Sequence, residues 1–245
     1  MAEDQPSESG RRLSEAGAEE LSRLLSARGD ALSAEDALEA LRNPHLTADA
    51  VRGIAARRAL VSVYEVRKAL AVCAHTPEAI AIDLVSGLYW TDLVAIGSEV
   101  RIRPAVRRAA DLALVIRLPR LAVGEKISIA RRCDVAVIAH LRNDPTPRVI
   151  SALLENPRLT EGLLAPLIAS EMALPEILKL VAANPRWGVR HGIRLAICRN
   201  PRSPLAVVLP LLPGLRKDEL RALGADPRLA QPLRHRAQLL SGRLG

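Results

Sequence analysis

The sequence predicts an all-α chain arranged as an α-solenoid, a superhelix of about seven short helix pairs. Three observations predict it. Val66 to Leu112 aligns without a gap on Ile193 to Leu239 at a constant offset of 127 residues, with 14 of 47 pairs identical. An ungapped self-match of that length marks repeat architecture. A turn signature also recurs: "NPHLT" from Asn43, "NPRLT" from Asn156, "NPRW" from Asn184, "NPRSP" from Asn200 and "DPRLA" from Asp226, with the variants "AHTP" from Ala74 and "NDPTP" from Asn143. Between the turns lie Ala-, Leu-, Val- and Ile-rich segments that lack the alternation of strands.

Residues 1–12 are polar and read as a disordered acidic arm. From Leu13 the pattern is helical, with Leu21, Leu24 and Leu25 on one face. Gly29 is expected to close that helix in the left-handed conformation. Ser33 opens the next through "SAED", a variant of the capping box. The later turns share one chemistry. Asn or Asp ends a helix by tolerating the left-handed region, and Pro blocks continuation. Ser or Thr caps the following helix, and a Pro after it is pre-set for the first turn. Helix starts are expected near residues 47, 76, 103, 146, 160, 187, 203 and 230. Ser62, Thr91, Asp134 and Asp218 fill the gaps, which gives a unit of about 14 residues. The 127-residue offset is then about nine such units. Helices this short must stack on neighbours to be stable.

One repeat domain is therefore expected over residues 13–245. "RLPRLAVGEK" at 117–126 breaks the period, and reads either as a joint between the two copies or as a long turn inside a continuous superhelix. The motifs at Asn43 and Asn156 are 113 residues apart, which reads as an extra helical unit of about 14 residues in the second copy. Within the aligned pairs, Gly87/Gly214 and Gly97/Gly224 are expected to make turns. Arg67/Arg194 and Arg107/Arg234 are expected to cap carbonyls or bridge neighbouring units.

"VRHGIRLAICRNPRSPLAVVLPLL" resembles the leucine-rich repeat variant, a bacterial repeat of the form VRxxVAxNPxTPxxxLxxL. "VRKALAVCAHTPEAIAIDLV" fits the pattern with its Asn-Pro lost. "RVISALLENPRLTEGLLAPLI" and "LKLVAANPRWGVRHGIRLAI" fit it in part. The resemblance covers about residues 43–240 and implies a solenoid close to HEAT repeats. Members with an iron–sulfur cluster carry a Cys-rich N-terminal segment, and this sequence has no Cys before Cys73. The resemblance implies no single activity.

Composition narrows the function. Phe is absent, and the aromatics are Tyr64, Tyr89, Trp90 and Trp187, fewer than an enzyme core or ligand pocket uses. Cys73, Cys133 and Cys198 are odd in number and widely spaced, which argues against disulfides, metal and iron–sulfur centres. No Walker loop, HExxH or GxSxG occurs. The five histidines have no ligand spacing, and no cofactor is implied. With no signal sequence pattern and no apolar run of about 20 residues, a cytoplasmic protein is expected. Residues 1–40 hold ten acids and four bases, and the rest hold 31 bases and 17 acids.

The leading expectation is a non-enzymatic scaffold that binds another protein through its concave face. The alternative is a sequence-independent nucleic-acid-binding solenoid using the Arg excess. A remoter one is a HEAT-like DNA glycosylase with Trp90, Asp92 and Trp187 in the roles of lesion-holding aromatics and acid. Positions that differ between the two copies mark where a partner would bind: Tyr64 opposite His191, and Tyr89-Trp90 opposite Arg216-Lys217. The expected partner-binding set is Tyr64, Tyr89, Trp90, Trp187, Arg190 and His191.

Overall fold

The structure, a computed structural model, describes residues 13–243. The arm expected over residues 1–12 lies outside the described residues. Among those described, every regular element is helical: α1 (Ala18–Arg28), α2 (Ala34–Arg42), α3 (Ala48–Ala55), α4 (Arg58–Ser62), α5 (Tyr64–Val72), α6 (Glu78–Val85), α7 (Trp90–Ser98), α8 (Pro104–Arg117), α9 (Val123–Ala130), α10 (Val135–Leu141), α11 (Pro147–Leu154), α12 (Glu161–Ala169), α13 (Pro175–Ala183), α14 (His191–Arg199), α15 (Leu205–Val208), α16 (Lys217–Ala225) and α17 (Gln231–Arg243), with short 3-10 turns at Gly29–Ala31, Leu118–Arg120 and Leu212–Gly214. The chain divides into two compact units, one ending at Arg117 and one beginning at Leu118.

In the first unit α2 packs on α5, α6 on α8, and α5 on α6; α7 lies along α8. In the second, α9 packs on α11, α11 on α13, α12 on α14, α14 on α16, and α16 along α17. A helix thus meets its chain neighbour and a helix two further on, or three further on in the case of α2 and α5. Burial explains the pattern. Each helix is too short to be stable alone, and the helices bury aliphatic side chains between their neighbours. Val51, Leu70, Leu93 and Leu114 are among them in the first unit, and Ile150, Leu164, Ile193 and Leu220 in the second.

The duplication is carried by the helix bounds. α2, α5 and α7 coincide at both ends with α12, α14 and α16 at the offset of 127. α3 and α13, and α8 and α17, begin at equivalent positions. The offset therefore extends upstream to Ala34, and the extra unit expected in the second copy is not there. The residue equivalent to Asn43 is Ser170. Its hydroxyl accepts from the Met172 N–H at 3.2 Å, as the Asn43 amide oxygen accepts from the His45 N–H at 2.7 Å. The 113-residue spacing came from the same turn device used at non-equivalent places. Near 187 no helix begins: Trp187 sits in the turn that stands where the first unit has α4.

The turns work by a different physics from the left-handed stop expected. Among the described residues only Gly29 has a positive φ, at 47° with ψ −124°. Asn43, Asn184 and Asn200 are extended, with φ between −71° and −83°. The Asn side chain does the work. Its oxygen accepts the N–H two residues on, from Arg158 to Asn156, Arg202 to Asn200 and Arg186 to Asn184, at 2.8 to 2.9 Å. At three turns its buried NH2 also donates backwards across the fold. Asn43 reaches the Leu13 and Ala16 carbonyls, each at 2.8 Å. Asn156 reaches those of Ala130 and Cys133 at 2.8 and 3.2 Å, and Asn200 those of Ile168 and Ser170 at 2.5 and 2.9 Å. The carbonyls at the end of α9 and α12 would otherwise be orphaned.

Capping by hydroxyls divides into two kinds. Ser33, Thr47 and Thr160 cap as expected, accepting from the N–H three residues on. Thr76 and Ser203 instead turn back and donate to the Leu70 and Ile197 carbonyls at 2.7 and 2.6 Å. Gly97 and Gly224 are not in turns either. They lie inside α7 and α16, where an added Cβ would run into Asp111 and, at 2.7 Å, into Gln238 Cγ. Their bare backbones let α8 and α17 approach closely. Of the paired arginines, Arg67 and Arg194 do cap carbonyls: Nε donates to Val61 at 3.0 Å and to Gly188 at 2.8 Å. Arg107 and Arg234 leave a buried Nε without a hydrogen-bond partner.

Replacing Asn156 by Ala strands two buried carbonyls and is expected to cost about 1–3 kcal/mol in denaturant unfolding. Asn184→Ala, whose side chain only accepts locally, is expected to cost less. Equal losses would contradict the clamp.

Candidate functional site

Three of the expected partner residues, Tyr64, Tyr89 and His191, fall in two slots, one in each unit. In the first unit Tyr64 opens α5 and reaches α7, the next helix but one. Its hydroxyl hydrogen-bonds Asp92 and accepts the Tyr89 N–H at 3.1 Å. The Lys68 ammonium meets the other Asp92 oxygen at 2.9 Å. The Tyr89 ring lies on Tyr64 with centroids 4.4 Å apart and is itself 64% exposed. Burial and then the bond to Asp92 push the Tyr64 pKa up to about 12. Burial raises Asp92 too, but Tyr64 and Lys68 outweigh it and hold the carboxyl below its ordinary value. Trp90, the first residue of α7, is half-buried.

The second unit fills the same positions with other chemistry. His191 opens α14, and its Nε2 lies 2.7 Å from Glu219 of α16. Glu219 also accepts the Arg216 N–H at 2.8 Å. Burial raises the Glu219 pKa, but the bonds from His191 and Arg216 overcome it and the carboxyl titrates low. Tyr64–Asp92 and His191–Glu219 are thus one tie built twice, between helices two apart. That role explains why both positions are polar although their residue types differ.

Trp187 is not a partner anchor. It is 0% exposed, and its Nε1 donates to the Leu154 carbonyl at 2.9 Å. Guanidinium groups of Arg186 and Arg190 cover its ring at 4.5 and 4.7 Å, an attractive placement for a cation. Such a residue belongs to the packing, and truncating it would cost about 3–5 kcal/mol. Arg190 is exposed and also pairs with Glu161 at 3.4 Å.

A groove that the sequence reading missed lies beside the first slot. It has a volume of about 510 Å3 between α2 and α5, with Leu38, Leu41, Ala69 and Val72 as apolar lining and Arg42, Glu65 and Lys68 at its rim. A second groove, about 340 Å3, lies between α12 and α14, with Leu195 and Ala196 in its wall and Arg199, Arg228 and Glu171 around it. The two are equivalent. Arg42, Glu65, Lys68, Ala69, Val72 and Cys73 correspond at the 127-residue offset to Ala169, Gly192, Leu195, Ala196, Arg199 and Asn200, all of which line the second groove. The signal in the sequence was apolar spacing on α2 and α5, which reads as core until the packing leaves it open.

Cys73 lines the first groove half-buried, whereas Cys133 and Cys198 are buried. Burial pushes the Cys198 thiol up to about 12, far from a reactive thiolate. The positive charge is confined to one unit: residues 1–117 hold 15 bases and 17 acids, and residues 118–245 hold 20 bases and 10 acids. Many of those bases are engaged. Arg186 donates to the Asn156 and Leu159 carbonyls and Arg142 to that of Leu163. Arg131 and Arg158 pair with Glu155 and Asp134. Among the described residues no helix is long and apolar enough to cross a membrane.

Compared with protein-family models, with curated proteins and with solved structures, the chain matches none.

The deepest ion pair generates a prediction. Burial raises the Asp144 pKa, but the Lys126 ammonium and the Thr146 N–H, each at 2.9 Å, outweigh it, so the carboxyl is held low. A carboxyl depressed on folding stabilises above its unfolded value of about 3.9. That contribution is lost as pH falls through the folded value. Asp144→Asn is expected to lower the denaturation midpoint at neutral pH and to flatten its decline between about pH 5 and about pH 2. An unchanged slope would contradict the pair's role.

Proposed function

We propose that this chain is a non-enzymatic α-solenoid scaffold, of the leucine-rich-repeat-variant and HEAT-like kind, that binds another protein. In this reading each unit carries its own binding surface, on α2, α5 and α7 in the first unit and on α12, α14 and α16 in the second. The observation that carries the proposal is the pair of equivalent open grooves on these helices. Packing between helices two apart, the geometry of stacked repeats, supports it. So does Tyr89, an exposed aromatic held in place by its stack on Tyr64, because a pre-ordered Tyr is a low-cost interface anchor.

A second reading draws on the charge of residues 118–245, which suits a nucleic-acid backbone. The pairing of its arginines with carboxylates and carbonyls favours the protein partner. Retention of DNA or RNA by the full chain, falling steeply with salt, would reverse that preference.

The test is affinity capture from the native host, identification of a partner, and reconstitution with the purified components. Tyr89→Ala is expected to weaken the reconstituted complex while costing the free chain about 1 kcal/mol or less. A complex indifferent to Tyr89 and to both grooves would overturn the proposed face.

A further inference from the structure

The first unit holds more acids than bases, yet one stretch of it carries unpaired arginines. Arg101 and Arg103 lie in the turn between α7 and α8, and Arg107 and Arg108 near the start of α8. No acid stands in the first turn of α8. Its one carboxylate, Asp111, is buried against Gly97. Glu99, ahead of the turn, accepts the Arg101 N–H at 3.1 Å. Among the described residues none of the four guanidinium groups makes an ion pair or donates a hydrogen bond. Arg103 Nη2 and Arg107 Nε are buried without an acceptor. This arrangement costs stability. Cations oppose the positive end of a helix, and like charges four residues apart, as on Arg103 and Arg107, repel. A buried donor without an acceptor also loses its bond to water. The repeat does not require any of this. In the second unit the equivalent of Arg101 is Arg228, held by Asp226 at 2.9 Å and by Glu171 at 3.9 Å, and that of Arg103 is Ala230.

The same helix carries an open apolar stripe. Leu112 and Ile116 follow Arg108 four and eight residues on, along one side of α8, and are 61% and 68% exposed. The second copy has His235, Leu239 and Arg243 at these three places. Arginines without partners call for an anion, and aliphatic side chains beside them call for an apolar surface. A nucleic-acid backbone supplies only the first. An acidic segment of a protein supplies both, and Arg is favoured at such interfaces.

We propose that α8 and the turn before it dock an acidic amphipathic segment of the partner protein. Its carboxylates meet Arg101, Arg103, Arg107 and Arg108, and its aliphatic side chains cover Leu112 and Ile116. The inference rests on the scaffold reading and gives that scaffold a second surface, apart from the grooves and Tyr89. α8 spans 14 residues, so the surface runs for about 20 Å and takes a helical segment of about the same length.

The probe is a fluorescent peptide of about 14 residues, with Glu through one half and Leu at i, i+3 and i+4 in the other, titrated into the full chain by anisotropy. One control peptide carries Lys in place of Glu, and another Ser in place of Leu. A single-stranded DNA of about 20 nucleotides is the third comparison. One equivalent of the Glu–Leu peptide is expected to bind, more tightly than either control or the DNA, with affinity falling as salt rises. Arg101→Glu and Arg108→Glu, both at exposed positions, are each expected to weaken it about fivefold. Leu112→Ser is expected to weaken it as well, and Arg236→Glu, in the second unit, to leave it unchanged. Circular dichroism checks that the variants stay helical. No binding, equal binding of either control peptide, DNA binding as tight or tighter, or insensitivity to all three substitutions in the first unit overturns the inference. If the peptide fails while a native partner binds through Tyr89, this surface is wrong and the scaffold reading stands. If the peptide binds and the native partner ignores Tyr89 and the grooves, this surface stands and the face proposed above falls.

Discussion

A helix of nine residues ends with as many unsatisfied carbonyls as one of thirty, so a fold made of short helices meets that cost at every turn. Here a buried asparagine amide meets it. Asn43, Asn156 and Asn200 each tie their own turn with the side-chain oxygen and, with the NH2, hold two carbonyls some 23 to 32 residues earlier in the chain. One side chain thus ends a helix and, at Asn156 and Asn200, fixes its distance from the helix two before it. Tyr64–Asp92, His191–Glu219 and the bond from Trp187 to Leu154 are further ties of that span. The apolar core supplies the energy of stacking, and these ties supply its register.

The groove between α12 and α14 lies beside such a tie, Asn200 on the Ile168 and Ser170 carbonyls, whereas the groove between α2 and α5 has Cys73 at the equivalent position. The polar tie between α5 and α7 orders Tyr89 and holds Lys68, which lines the groove, against Asp92. Scaffold and candidate site are therefore not separate inventories. The bond between Tyr64 and Asp92 belongs to both.

The helical class and most helix starts were legible because Pro, Asn and Thr punctuate the chain locally. What the turns do was not legible. "Asn-Pro" reads as a left-handed stop, whereas its amide contacts are about 30 residues away and only folding brings them together. The same limit applies to Trp187, an aromatic beside two arginines that looks like a surface anchor until Arg186 and Arg190 fold over it. Gly97 and Gly224 look like turn residues, yet their identity reflects the close passage of α8 and α17. Tyr64 and His191 drew notice because they differ. Their shared role emerged only with Asp92 and Glu219 in place.

Amide hydrogen exchange on the full chain tests the clamp most directly. The N–H groups of His45, Arg158 and Arg202 lie in exposed-looking turns, but each is held by an asparagine oxygen. If the clamps set the register, these amides exchange as slowly as the helices that they join, because opening them requires those helices to separate. Exchange at the rate of free loops, with the helices on either side still protected, would contradict the account.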